Sequence, residues 1–105
     1  MKRDKRRLRE VARIEVLEEL QKALAEAPVH VGEAYVFGSL AAPFAFDARS
    51  DLDIAVRAMD PREYFSLKCY LEERMRREVD LVEMESCGFA DSIRRRGLRW
   101  TGRHS

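Results

Sequence analysis

Three aspartates lie in or beside two short segments of the chain that are otherwise apolar. Asp51 and Asp53 alternate with Leu52 in the segment 50–56, and Asp80 lies in the segment 78–82. Carboxylates fit poorly into strands, because strands favour β-branched and aromatic side chains. Three carboxylates in two apolar strands therefore need a counter-charge, and the usual one is a metal ion.

The spacing of these aspartates predicts where their side chains point. In a strand, residues i and i+2 lie on the same face, so Asp51 and Asp53 are predicted neighbours, roughly 6–7 Å apart at Cα. The apolar residues that alternate with them are predicted to face the core: Leu52, Ile54 and Val56. If the strand of Asp80 lies alongside, three carboxylates converge and repel one another unless a cation lies among them. Hard oxygen ligands suit Mg²⁺. The alternative for Asp51 and Asp53 is the solvated face of a half-exposed strand.

The dipeptide Gly38-Ser39 directly follows the apolar segment 34–37. Gly38 has no Cβ, so a phosphate can approach its backbone. Ser39 adds a hydroxyl donor, and the amides that open a helical turn bind anions. By itself Gly-Ser is also an ordinary turn dipeptide. It is not a P-loop, because no Gly-Lys-Ser/Thr follows.

Hydrophobic periodicity predicts an α/β (α+β) fold, in which a small mixed sheet is flanked by helices. The predicted order is α-β-(turn)-β-α-β-α. Its elements are helix 4–27, strand 33–37, strand 52–57, a helix with Asp60 as N-cap, Pro61 first and Glu63 completing a capping box, strand 78–84, and helix 88–96.

Composition narrows the class of protein. The 105 residues predict one domain, and 37% charged residues with a net charge of +1 argue against a dedicated nucleic-acid binder. The chain has no apolar run long enough for a membrane span and no secretory signal, so a cytoplasmic location is expected. Cys69 and Cys87 are too far apart for a redox pair or half a zinc site, and are expected to be reduced and partly buried.

Several other side chains allow two interpretations. Arg94-Arg95-Arg96, with Arg99 and Trp100, can contact RNA, a triphosphate or an acidic partner, or form a solvated helix face. Exposed apolar groups at Phe44, Phe46 and Trp100 indicate an interface, or else complete the core. His30 and His104 are expected to be surface residues.

The combination of Gly38-Ser39, the segment 50–56 and the segment 79–82 resembles the DNA polymerase β-like nucleotidyltransferase superfamily. Within it, the length and short architecture look most like the minimal nucleotidyltransferases. In prokaryotes these typically pair with a HEPN-domain partner in two-component toxin–antitoxin systems. The resemblance covers roughly residues 34–97. It implies that residues 1–105 are a single minimal nucleotidyltransferase domain, with an N-terminal helix and a catalytic core at about 33–97.

The resemblance also implies roles for the motif residues. Gly38 and Ser39 would hold the β- and γ-phosphates of the nucleotide. Asp51 and Asp53 would ligate two Mg²⁺ ions, and Asp80 would ligate the second ion and help activate the attacking hydroxyl. The reaction implied is transfer of NMP, from ATP as the expected substrate, to a hydroxyl of a partner HEPN toxin. The chain would then be an antitoxin that forms a hetero-oligomer with this toxin.

The chain departs from the family pattern after Ser39. Family members usually read Gly-Ser-x-Ala-Arg-Gly, whereas this chain has Ala42 and Pro43 in place of the Arg and second Gly. The missing guanidinium removes an anion contact. A second hypothesis is therefore a binding module with a degenerate site that neutralises its partner by contact. A third, transfer to a small molecule, is disfavoured because extra acceptor-binding structure is absent.

Overall fold

The computed structural model describes residues 2–47 and 49–101. Over these residues the chain forms three α-helices and one sheet of four strands. In chain order the elements are α1 (Lys2–Ala25), β1 (Glu33–Phe37), β2 (Leu52–Arg57), α2 (Tyr64–Met75), β3 (Val79–Glu83), α3 (Ala90–Arg96) and β4 (Leu98–Thr101). The predicted α+β class and the order of the first six elements are confirmed.

The sheet is mixed and has the strand order β3-β2-β1-β4. Strand β1 is antiparallel to both β2 and β4, and β2 is parallel to β3. Parallel neighbours need a crossover connection, and α2 supplies it. The register places Phe37 of β1 opposite Asp53 of β2, and Asp53 opposite Asp80 of β3. The strand that holds Asp80 therefore lies alongside β2, as the convergence of the carboxylates requires.

One face of the sheet packs against α1 and α2. The residues predicted to face the core are fully buried on this side: Leu52, Ile54 and Val56. They form one apolar cluster with Leu20 of α1 and Leu71 of α2. Burying one such side chain stabilises the fold by about 1.5–3 kcal/mol. Strand β2 is thereby held firmly on its apolar side.

The opposite face of the sheet is covered by α3. A smaller cluster on this side contains Tyr35 of β1, Ala55 of β2, Met84 and Ile93 of α3. Because Asp53 precedes Ala55 by two residues, its side chain lies on this same face. The fold thus separates an apolar face, which carries most of the core, from a face that carries the aspartates.

Helix α1 is only partly packed. Its second half is buried through Leu20, Ala23 and Leu24, but Leu8 and Val11 in its first half are 67% and 47% exposed. The three- and four-residue apolar spacing predicts a continuous stripe, and the stripe is present. The sheet covers only its C-terminal part, so the first turns carry an apolar surface that α2 and the strands leave open.

The start of α2 differs from the prediction. Asp60 and Pro61 take the predicted cap and first positions, but they do so in a 3₁₀ turn, Pro61–Glu63, that precedes α2, which begins at Tyr64. The Asp60 carboxylate accepts a hydrogen bond from the second amide of that turn at 2.9 Å. The side chain of Glu63 forms no capping hydrogen bond for α2, so the predicted capping box is wrong.

Strand β4 was not predicted. Helix α3 ends at Gly97, and the chain passes directly into β4, which pairs with β1. A Cβ at Gly97 would lie 2.6 Å from the carbonyl oxygen of Ile93, so only glycine fits this junction. Arg99 and Trp100 are consequently strand residues, and their assignment to a helix face is wrong. Arg99 forms an ion pair with Glu33 on β1 at 2.6 Å.

The remaining predicted side chains have mixed outcomes. Cys87 is partly buried as expected, but Cys69 is exposed. Phe46 is buried in the core, whereas Phe44 is 47% exposed. His30 is exposed, as predicted, and His104 lies outside the described residues. Among the described helices, none is both long and apolar enough to cross a membrane.

Candidate active site

The turn after β1 requires glycine at its first position. Gly38 has φ +68°, in the left-handed region that favours glycine. A Cβ at this position would lie 2.1 Å from Oδ2 of Asp53. The following 3₁₀ turn, Gly38–Ala41, leaves Gly38 exposed and Ser39 half-buried. The predicted phosphate-binding turn and the central aspartate are therefore in direct contact.

The three predicted carboxylates lie at one end of β2 and β3. Asp53 is half-buried beside the Gly38 turn, and its register partner Asp80 is exposed on β3. Asp51 is exposed immediately before β2. Gly38 thus contacts Asp53, and Asp80 and Asp51 lie close enough for their charges to act on the Asp53 carboxyl. Their roles as ligands and catalysts stay predictions.

Asp53 has an electrostatic environment that disfavours its charge. Burial raises the pKa of the Asp53 carboxyl, and the charges of Asp80 and Asp51 raise it further. Ionisation of the Asp53 carboxyl is therefore opposed by both desolvation and repulsion. A cation placed among these carboxylates would relieve both.

The donor set fits Mg²⁺ only when a substrate completes it. Within residues 2–47 and 49–101, no three Asp, Glu, His or Cys side chains are gathered closely enough to hold a metal ion alone. Mg²⁺ usually takes one or two carboxylates and fills its other positions with water and substrate phosphates. Asp51 and Asp53, with Asp80 beside them, match this limited carboxylate set. The exposed turn at Gly38 would offer backbone amides to those phosphates.

Two residues of α1, Arg13 and Glu10, form hydrogen bonds with the backbone of the loop after Gly38, and the sequence did not predict this role. Arg13 of α1 is buried, and its Nη1 donates to the carbonyl oxygen of Leu40 at 2.9 Å. Its Nε and Nη2 donate to both carboxylate oxygens of Glu10, at 2.8 and 2.7 Å. Glu10 also accepts from the N–H of Phe44 at 2.9 Å. No motif marks these residues, because ion-paired charges on a helix look like a solvated face in the sequence.

Acid is expected to weaken this anchor. The Arg13 hydrogen bonds and the Phe44 amide lower the pKa of Glu10 from 4.5 to about 2. A lowered folded-state pKa gives stability that is present above pH 4.5 and lost as the pH falls through about 2. Glu10→Gln should therefore lower stability at pH 7 and flatten its decline in acid, as measured by urea unfolding between pH 7 and pH 2.

A matched control for this prediction is Glu15→Gln. Glu15 is an exposed residue of the same helix and forms no ion pair with any described residue. It should keep the wild-type dependence on pH. A Glu10→Gln chain that loses stability in acid as steeply as the wild type would show that the anchor contributes nothing.

Residues 18–99 match the family model described as "Polymerase beta, Nucleotidyltransferase". The chain belongs to this family. The match spans the Gly38 turn, all three aspartates and the sheet, so this nucleotidyltransferase carries its candidate site within the family's own region. No curated protein gave a significant match.

Solved structures with the same fold come from toxin–antitoxin complexes. A chain of a toxin–antitoxin structure with AMP-PNP is 25% identical, with a TM-score of 0.63, over 83% of this nucleotidyltransferase and 73% of that chain. A second structure is described as tri-AMPylated Shewanella oneidensis HEPN toxin in complex with MNT antitoxin. One of its chains is 23% identical, with a TM-score of 0.59, and the match covers 87% of this nucleotidyltransferase and 73% of that chain. A chain of a mutant MntA–HpeT complex is 23% identical, with a TM-score of 0.61. The match covers 83% of this nucleotidyltransferase and 73% of that chain.

Proposed function

We propose that this nucleotidyltransferase transfers AMP from ATP, with Mg²⁺, to a hydroxyl of a HEPN-domain toxin and so acts as its antitoxin in the cytoplasm. The observation that carries the proposal is the contact between the Gly38 turn and Asp53, with Asp51 and Asp80 at the same edge of the sheet. Family membership supports nucleotidyl transfer. The AMP-PNP-bound and AMPylated-toxin complexes support the adenylyl group and the partner.

The side chains have separate tasks in this proposal. Asp51, Asp53 and Asp80 would hold Mg²⁺, which supplies charge neutralisation at the transferred phosphate when it is bound. Gly38 and Ser39 bind the β- and γ-phosphates through backbone amides and the Ser39 hydroxyl. This orients the α-phosphate towards the aspartates. In such reactions the protein contributes mainly positioning and electrostatic stabilisation.

The bonding changes balance with the groups present. The acceptor oxygen forms a bond to the α-phosphorus while the bond from that phosphorus to the α–β bridging oxygen breaks. Pyrophosphate leaves, and the proton of the acceptor hydroxyl passes to the carboxylate of Asp80, which is exposed and able to meet an incoming side chain. The products are an adenylylated partner and pyrophosphate.

The proposal is tested by incubating the chain and its co-expressed HEPN partner with Mg²⁺ and ATP labelled at the α-phosphate. Label should appear on the partner with the wild type and fall at least about a hundredfold with Asp53→Asn or Asp51→Asn. Asp91→Asn makes the same chemical change on an exposed residue of α3 and should leave transfer intact. If both Asp53→Asn and Asp51→Asn still transferred label to the partner as the wild type does, the proposal would be refuted.

A second function is favoured by two observations. The turn after Ser39 carries Ala42 where the family pattern has Arg, and the first half of α1 exposes Leu8 and Val11. These features suit a protein that neutralises its partner by contact alone. In that case Asp53→Asn would still suppress toxicity in cells. Loss of suppression in this variant would instead support the enzymatic function.

A further inference from the structure

A cavity lies directly beside the candidate phosphate turn. It has a volume of about 330 Å³, and it is formed between the end of β1 with its turn and the exposed side of α3. Phe37 and Gly38 line one wall, and Phe89, Ser92 and Arg96 line the other. The rings of Phe37 and Phe89 meet edge to face, with 6.1 Å between centroids. The size is at the lower end of the range for small-molecule sites.

Arg96 gives this cavity its charge. It is the one charged side chain among the described residues that line the cavity. Among its neighbours along the chain, Arg94 pairs with Asp91 at 3.1 Å and Arg99 pairs with Glu33, and Arg95, unpaired within the described residues, does not line the cavity. Arg96 forms no ion pair or side-chain hydrogen bond with a residue in the described ranges. A guanidinium without a protein acceptor at the mouth of a cavity is suited to an anionic ligand.

The turn itself lacks the cation that a triphosphate needs. The residues from Gly38 to Pro43 include no Lys or Arg. Arg13 approaches this turn from the opposite side, but its guanidinium is used by Glu10 and the Leu40 carbonyl. Within the lining of this cavity, positive charge for a ligand on the turn comes from the opposite wall, where Arg96 lies.

We propose that Arg96 of α3 binds the β- and γ-phosphates of a nucleoside triphosphate seated on the Gly38 turn. This assignment rests on the proposed function and names the cationic residue of its nucleotide site. The phosphates lie between the turn amides and the guanidinium, and the hydroxyl of Ser92 is a further donor from the same wall. The cation that the turn lacks is thus supplied by a different element of the fold.

The test is calorimetric titration of the chain with AMP-PNP and, separately, with inorganic tripolyphosphate, both with Mg²⁺. Arg96→Gln should weaken both ligands by about tenfold, since a charge-assisted hydrogen bond is lost. Arg96→Lys should recover part of the affinity. Because Arg96 is exposed and Ile93 anchors α3, thermal unfolding should not change.

Arg95→Gln is the matched control. Arg95 is an exposed residue of the same helix, has no ion pair with a described residue and does not line the cavity, so its removal should change neither affinity by more than about twofold. If Arg95→Gln and Arg96→Gln weakened the affinity for these ligands equally, the loss would come from the change in net charge alone. That result would overturn the assignment. So would wild-type affinity in Arg96→Gln, or a wild-type chain that binds neither ligand. Arg96-dependent binding without transfer to any partner would refute the proposed function and leave this assignment standing.

Discussion

Asp53→Asn is expected to stabilise the free chain while abolishing its Mg²⁺-dependent binding of ATP. Burial and the charges of Asp80 and Asp51 raise the pKa of Asp53 above its unfolded value of 3.8. A raised folded-state pKa gives stability that is fully present below pH 3.8 and lost as the pH rises through the folded-state pKa. Above the folded-state pKa the wild type has lost this contribution, whereas the neutral amide has not.

The stability effect is measured by urea unfolding without Mg²⁺ or nucleotide. Asp53→Asn should gain up to about 1 kcal/mol at pH 7, a modest value because Asp53 is only half-buried and its charge is partly screened. The gain should shrink towards pH 4 as the wild-type carboxyl binds its proton. Asp91→Asn should show neither effect. An Asp53→Asn chain that is less stable than the wild type at pH 7 would refute this electrostatic description.

Gly38→Ala is expected to remove ATP binding and to destabilise the chain. The methyl group would lie 2.1 Å from Oδ2 of Asp53 and 3.2 Å from its Cβ, so the carboxylate must leave the turn. The left-handed backbone at Gly38 adds about 1–2 kcal/mol of strain for any residue with a Cβ. Unfolding in urea and titration with ATP measure the two effects.

Gly88→Ala is the matched control for this substitution. A Cβ at Gly88 meets no atom within 4 Å, so this change should leave ATP affinity unaltered and stability close to that of the wild type. If Gly38→Ala bound ATP as tightly as Gly88→Ala, the contact between the turn and Asp53 would have no part in nucleotide binding.

Strands β1 to β3 and the aspartates could be predicted because their signals are local. Alternation in β2 places Leu52 and Ile54 in the core, and this fixes Asp53 on the opposite face. The apolar segment before Gly38 marks both the end of β1 and the turn. Local patterns of this kind also indicate a parallel β2–β3 pair once a helix of sufficient length lies between them.

Other features depend on contacts that no local pattern reveals. Strand β4 is only four residues long and contains Arg99, so it is too short to be distinguished from the basic residues around it. Its pairing with β1 becomes favourable only when Gly97 lets the chain pass close to the backbone of that strand. The burial of Arg13 likewise depends on a loop 27 residues away. Because Arg13 lies three residues from Glu10 on α1, the sequence pattern there is the same as that of a solvated helix face.

The most direct test of the central claim, a working metal–triphosphate site, is calorimetric titration of ATP into the wild-type chain with and without Mg²⁺. The structure predicts binding that requires Mg²⁺, because the half-buried Asp53 beside Asp51 and Asp80 repels a triphosphate unless a cation is present. It also predicts that this binding disappears in Asp53→Asn. ATP binding of equal affinity without Mg²⁺, or unchanged in Asp53→Asn, would contradict the assignment of these carboxylates to the metal–triphosphate site.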